Sequence, residues 1–192
     1  MRKRIKKPIL FVSVGSLTDN KNMDNLIRAF RIAVGKYPEI LLRIYGDGPR
    51  KRDLKNRILD QGLEKHVFLE GVVNRDKLAK AYMEADYFVL VSHAETFGVS
   101  YIEAMAAGLP VIAGMSGGPE DFITKENGLM INEKDVNQIA DALCFMIEHG
   151  EQYHRERISA DITEKYSGHA VAVQLADIYS NVISLWGRDN AV

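Results

Sequence analysis

Two hydrophobic rhythms take turns along this chain. Ile9 to Val14, Ile40 to Tyr45 and Tyr87 to Val91 are short, almost unbroken apolar runs. Such runs are too brief for helices and too uniformly apolar for a sheet face turned to water, so they predict strands buried on both faces. Val67 to Leu69, Val111 to Gly114 and Gly128 to Ile131 are shorter runs of the same kind. Between them the spacing becomes helical. Leu26, Ile27, Phe30, Ile32, Ala33 and Val34 give one face to a helix from Asn22 to Tyr37, closed by Pro38. Gly46-Asp47-Gly48-Pro49 reads as a turn, with Pro49 suited to the first turn of a helix reaching about Gln61. Asn74 is placed to cap a helix from Arg75 to Glu84, and Asp135 one that runs to about His149. Val99 to Ala107 is a short helix stopped by Gly108 and Pro110. Glu151 to Trp186 reads as helical, with a break near Ser167-Gly168.

Strands alternating with helices predict an α/β fold: a Rossmann-like, doubly wound parallel sheet of about six strands with helices on both faces. Ligands of such sheets bind beyond the carboxyl ends of the strands. The loops to inspect are therefore Gly15 to Asn22, Gly46 to Pro49, Gly71 to Asn74, Ser92 to Gly98 and Gly114 to Glu120.

Composition narrows the classes. The chain has 192 residues, 46% of them hydrophobic and 27% charged, as expected for one globular domain. Its 25 basic and 26 acidic residues nearly cancel, which argues against bulk nucleic-acid binding. The lone Cys144 lies in an apolar helical stretch and reads as a core residue, and one cysteine suits a reducing, cytoplasmic setting. No apolar stretch is long enough to span a bilayer. Residues 1–8 read as a basic tail or linker stub, with attraction to the inner face of a membrane as the alternative. Residues 9–166 read as the sheet domain and 167–192 as a C-terminal helix and tail.

The most informative chemistry is a pair of carboxylates, Glu95 and Glu103, with seven residues between them, around the start of the Val99 helix. That helix start offers free backbone N–H groups and a positive dipole end, a ready site for phosphate. Carboxylates are poor phosphate ligands but good acceptors for sugar hydroxyls. The pattern suits a nucleotide sugar, with phosphates in the middle and a sugar ring on either side. Gly98 lets backbone approach a ligand closely, and Lys21, after the first strand, can set an ammonium over a diphosphate. Glu103 stands among Ile102, Ala104, Met105 and Ala106, where an unpaired carboxylate would be costly. A ligand diol is one remedy, and a salt bridge to a lysine is the other. Gly117 and Gly118 are expected to bring further N–H groups to the cleft. His93 is near enough to Glu95 to touch the same ligand, although most loop histidines are incidental. No metal is expected, because the histidines lack ligand spacing.

Absences weaken the rivals. There is no G-x-x-x-x-G-K-[ST] for a nucleotidase and no G-x-S-x-G for a hydrolase elbow. The first strand leads into Gly15-Ser16-Leu17-Thr18, not the G-x-G-x-x-G of a dinucleotide oxidoreductase.

At Glu95-Thr96-Phe97-Gly98 and Glu103-Ala104-Met105-Ala106-Ala107-Gly108-Leu109-Pro110 the chain resembles the retaining glycosyltransferases of family 4. Gly46-Asp47-Gly48-Pro49, Val67-Phe68-Leu69-Glu70-Gly71-Val72 and Gly117-Gly118-Pro119-Glu120 follow the family's order too. The resemblance implies half of a two-domain GT-B fold: the C-terminal half, which takes a nucleoside-diphosphate sugar as its donor. It implies that Glu103 holds the ribose hydroxyls and Glu95 the donor sugar. Phe97, Gly98 and Val99 would offer backbone N–H groups to sugar and phosphates, Lys21 would contact the diphosphate, and Gly71 and Val72 would lie by the base. Gly15 and Ser16 would line the same loop. The family commonly carries an arginine five positions before the lysine, and here that place is Ser16. An N-terminal acceptor domain is the implied partner. Val171, Val173, Leu175, Ile178, Val182 and Leu185 form an apolar strip that such a partner would cover and that would otherwise favour self-association. A non-catalytic nucleotide-binding module and a sugar-nucleotide epimerase fragment of similar fold stay open as alternatives.

Overall fold

The computed structural model describes residues 8–189; residues 1–7, most of the basic start, and the last three residues of the tail lie outside it. Six strands form one sheet: β1 (Ile9–Val14), β2 (Ile40–Tyr45), β3 (Val67–Gly71), β4 (Tyr87–Leu90), β5 (Val111–Gly114) and β6 (Gly128–Ile131). The helices are α1 (Met23–Lys36), α2 (Lys51–Asp60), α3 (Arg75–Glu84), α4 (Val99–Ala106), α5 (Val136–His149), α6 (Arg155–Tyr166) and α7 (Gly168–Asp189). The strands lie in the order β3-β2-β1-β4-β5-β6, and every neighbouring pair is parallel.

This order explains the continuous apolar runs. A parallel strand between crossover helices is covered on both faces. Accordingly Phe11, Val12, Phe88, Val89, Leu90, Val111, Ile112 and Ala113 are all buried. The chain winds outward from β1 through β2 to β3, then returns to the middle and winds the other way from β4. Right-handed crossovers in opposite directions put α1 and α2 on one face and α4 on the other. On its face α1 packs against α5, and on the opposite face α4 packs against α6. The winding reverses between β1 and β4, where the loops after two adjacent strands part and leave a crevice.

Local chemistry sets the element ends. The Asn74 side chain accepts from Lys77 N at 2.9 Å and starts α3. Asp135 accepts from Asn137 N at 2.9 Å and Gln138 N at 3.3 Å and starts α5. Several boundaries shift from the sequence pattern by a residue or so, and three departures are instructive. β3 continues past Leu69 because Tyr45 pairs with Gly71 across an irregularity after Ile44. Asn22 does not open α1 as a helical residue. It sits in the left-handed region (φ 53°) between a short 3-10 turn, Asp19–Lys21, and Met23. Pro49 lies in the turn before α2, not in its first helical turn.

α7 stands apart from the sheet, touching mainly α6. Val171, Leu175, Ile178, Val182 and Leu185 repeat at spacings of four and three and form one exposed stripe. Val173, expected with them, is exposed but lies about 200° round the helix from Val171 at 100° per residue, so it is off the stripe. Among the described residues no helix is long and apolar enough to cross a membrane.

Replacing Asn74 with Ala removes the α3 cap and should cost about 1 kcal/mol of stability. The expected sign is a lower urea midpoint with an unchanged slope, and an unchanged midpoint would show that the cap contributes nothing.

Candidate functional site

Every sequence-selected loop lies at the carboxyl edge of the sheet, and the loops after β1 and β4 are sewn together across the crevice. Asn20 does most of the stitching. Its Nδ2 donates to Ala94 O at 2.9 Å, its Oδ1 accepts from Ala94 N at 3.1 Å, and its carbonyl accepts from His93 N at 2.8 Å. Asn22 reaches deeper, donating from Nδ2 to Val91 O at 3.1 Å and Glu133 O at 2.7 Å. Its left-handed backbone turns the side chain inward, which a β-branched residue would resist.

That stitching sets Lys21 against Glu95. Lys21 Nζ lies 2.6 Å from Glu95 Oε1, and the same oxygen accepts from Ser92 Oγ at 2.7 Å. The two side chains are only 19% and 11% exposed, so the pair is partly shielded from water and harder to break than a surface pair. The lysine stem runs over Gly15, where an added Cβ would meet it at 3.4 Å. Glu95 Oε2 has no protein partner among the described residues. Ser16, where the resemblance leads one to expect an arginine, is exposed, and the nearby Arg50 side chain lies 3.3 Å from Asp19 and from Asp53.

The α4 start has the expected character. Gly98 precedes Val99 with φ 92°, and a Cβ there would come within 2.7 Å of the Tyr101 ring. Tyr101 is itself fixed, donating its hydroxyl to Leu90 O at 2.5 Å in the core. Burial, then the charge of Glu95, pushes this phenol well above its usual range. The N–H groups of Phe97, Gly98, Val99 and Ser100 donate to no protein acceptor among the described residues. Val99 is 60% exposed, while the Phe97 ring packs in a triangle with Phe122 and Tyr166, centroids 5.6 to 5.9 Å apart.

Glu103 stands on the second turn of α4, about 6 Å along the axis from Val99. It is exposed and pairs with no cation among the described residues. The apolar neighbours that made an unpaired carboxylate look costly turn elsewhere: Ala104 and Met105 face the core, while Glu103 leans towards α3 and accepts from Tyr82 OH at 3.2 Å. Gly71 and Val72 close the other side. Gly46 N donates to Gly71 O at 2.9 Å, and Gly15 N donates to Tyr45 O at 3.0 Å, so the first three loops stack into one ledge. A Cβ on Gly46 would lie 1.9 Å from Gly15 O, so the ledge admits no side chain there. Val72 projects from it, 77% exposed.

The glycine pair after β5 behaves differently from expectation. Gly117 N donates to the Glu120 side chain at 3.0 Å, and Gly118 N donates to Glu95 O at 2.9 Å. One amide is spent within its own loop and the other on holding that loop to Glu95, so neither is free for a ligand. Pattern reading also missed Asn20, Asn22, Ser92, Tyr82 and Glu133. Glu133 is buried, with Oε1 3.5 Å from His93 Nδ1. Asparagine in a short loop before a helix was the one available signal. A cleft of about 1060 Å³ opens at the opposite edge, by Ile9, Ile40 and Tyr87, at the wrong end of the strands for the ligand of a parallel sheet. No group of three or more His, Cys, Asp or Glu suited to a metal occurs among the described residues.

The family model for glycosyl transferases group 1 matches residues 2–161. The chain belongs to that family. An uncharacterized glycosyltransferase of Methanocaldococcus jannaschii is 33% identical over 186 residues, which are 95% of this chain and 47% of that protein. The sulfoquinovosyl transferase of Arabidopsis thaliana is 32% identical over 191 residues, 95% of this chain and 35% of its own length. The chain thus spans half or less of these relatives. Among solved structures, an S. aureus TarM mutant in complex with fondaparinux, alpha-GlcNAc-glycerol and UDP aligns at TM-score 0.82 and 27% identity, covering 92% of this chain and 36% of that one. Anabaena HepE in complex with UDP aligns at TM-score 0.83 and 21% identity, covering 91% and 49%. The fold is therefore one half of a GT-B glycosyltransferase, and the chain corresponds to the C-terminal half of its relatives.

Gly98→Ala forces a side chain into the left-handed region and onto Tyr101. It should cost about 2–3 kcal/mol, read from urea unfolding. A cost below ~0.5 kcal/mol would mean that the α4 start is not held as described.

Proposed function

We propose that this chain is the donor-binding half of a retaining glycosyltransferase, which moves a sugar from a nucleoside diphosphate to an acceptor hydroxyl. The observation that carries the reading is the α4 start. It presents unpaired amides at the topological switch point, with one open carboxylate oxygen on Glu95 and another on Glu103 to either side. UDP in the solved TarM and HepE complexes supports a nucleoside diphosphate as the leaving group.

In this reading the amides of Phe97 to Ser100 and the dipole of α4 hold the diphosphate. Glu103 accepts from the ribose hydroxyls, and Glu95 accepts from the donor sugar through Oε2. Lys21 is shared between Glu95 and the diphosphate. Its ammonium has three protons, so a bond to Glu95 leaves two for phosphate oxygens. As the bond from the anomeric carbon to the phosphate oxygen breaks, charge gathers on that oxygen beside groups already in place. The acceptor hydroxyl enters from the same face, its oxygen bonding to the anomeric carbon while its proton passes to the departing phosphate oxygen. Gly71 and Val72 flank the base, and Gly15 and Ser16 floor the loop that carries Lys21. Residues 9–166 act as the nucleotide-sugar unit, and α7 reaches out to a second domain that supplies the acceptor and covers its apolar stripe. Without that cover the stripe favours self-association.

Calorimetric titration with UDP, GDP and ADP sugars tests the assignment. Glu103→Ala should weaken nucleotide binding at least about tenfold, and more than Glu95→Ala does. The reverse order, or no effect from either, refutes the roles. The chain alone should bind donor and transfer nothing, and sugar transfer by it would remove the need for a second domain.

A further inference from the structure

We infer that Tyr82 is a positioning residue for nucleotide recognition: it fixes the plane of the Glu103 carboxylate and so sets the preference for a ribose diol. The inference rests on the donor-binding reading above and deepens it. Glu103 is an exposed residue on a short helix, and an unrestrained glutamate there samples many rotamers. A vicinal diol needs a carboxylate whose two oxygens face two hydroxyls at once. Some neighbour has to hold the group without consuming it.

Tyr82 meets that need in three ways. Its hydroxyl donates to Oε2 at 3.2 Å, which uses one of about four lone-pair sites and leaves Oε1 free. Its ring is 3% exposed and rests against Phe88 at 6.1 Å between centroids. Phe88 in turn meets Tyr101 edge-on at 5.2 Å, and Tyr101 lies on α4 itself, two residues before Glu103. The donor and the carboxylate are therefore braced through the same three rings. Burial, and next the charge of Glu103, raises the phenol pKa far above its usual range, so the hydroxyl stays a donor at any working pH.

The test uses wild type, Tyr82→Phe, Glu103→Ala and the double variant, each checked for an unchanged melting temperature. Wild type is first titrated with UDP, GDP and ADP. The best-bound diphosphate is then compared with its 2′-deoxy and 3′-deoxy forms. Tyr82→Phe should weaken binding of the ribose form about five- to tenfold while changing the deoxy forms less, so that discrimination shrinks. In the Glu103→Ala background the same change should have no further effect, because Tyr82 acts through that carboxylate. Undiminished discrimination in Tyr82→Phe, or an equal loss in the Glu103→Ala background, overturns the role of Tyr82 and leaves the donor-binding reading standing. Failure of all three diphosphates to bind wild type overturns both.

Discussion

The contact on which the site depends is the seam between the loops after β1 and β4. Sheet order creates an opening there, because neighbouring strands send their chains in opposite directions. Left alone, such an opening would be two mobile loops over a hydrophobic edge. Asn20 and Asn22 close it with five hydrogen bonds, four to the segment just after β4 and one to Glu133, just past β6. The Lys21–Glu95 pair then forms on a backbone that is already fixed, so little further entropy is lost when it does. A charge pair that is built in advance can answer a negative ligand without rearranging, which is the condition for strong electrostatic effects in a site.

The α4 start is arranged in the same manner from the opposite side. Gly98 is pressed on Tyr101, Tyr101 is tied to β4, and Gly118 is tied to Glu95. Two loops meet there, the one after β4 and the one after β5; the first is braced on the core through Tyr101 and the second is held to the first. The amides that stay free are those in the middle of this arrangement. The polar groups nearby that could have competed for a ligand are used to hold the frame.

Much of this was legible in the residues. Continuous apolar runs gave the strands because both sheet faces are covered. Asn74 and Asp135 gave the helix starts because their side chains have one dominant use at those places. The placement of Glu95, Gly98 and Glu103 around the start of α4 was legible because a short helix stopped by Gly108 and Pro110 fixes where its first turn falls. What stayed hidden depended on partners distant in the chain. Tyr82 is separated from Glu103 by twenty positions and reads as one more aromatic core residue. Asn22 reads as a helix cap until its backbone angle is known. The amides of Gly117 and Gly118 pointed to a ligand only while Glu95 O and Glu120 were not known to be beside them.

The stacked ledge of Gly15, Gly46 and Gly71 has a consequence for anyone who would retune this protein. With Gly15 O less than a bond length and a half from where a methyl on Gly46 would sit, the middle of the crevice floor cannot take a side chain without moving its backbone. The crevice is easier to recontour at its fringe, through outward side chains such as Val72, Val99 and Ser16, which meet solvent and can vary in size and polarity at little cost to the framework. A rigid bed with an editable border is a workable starting point for directed evolution.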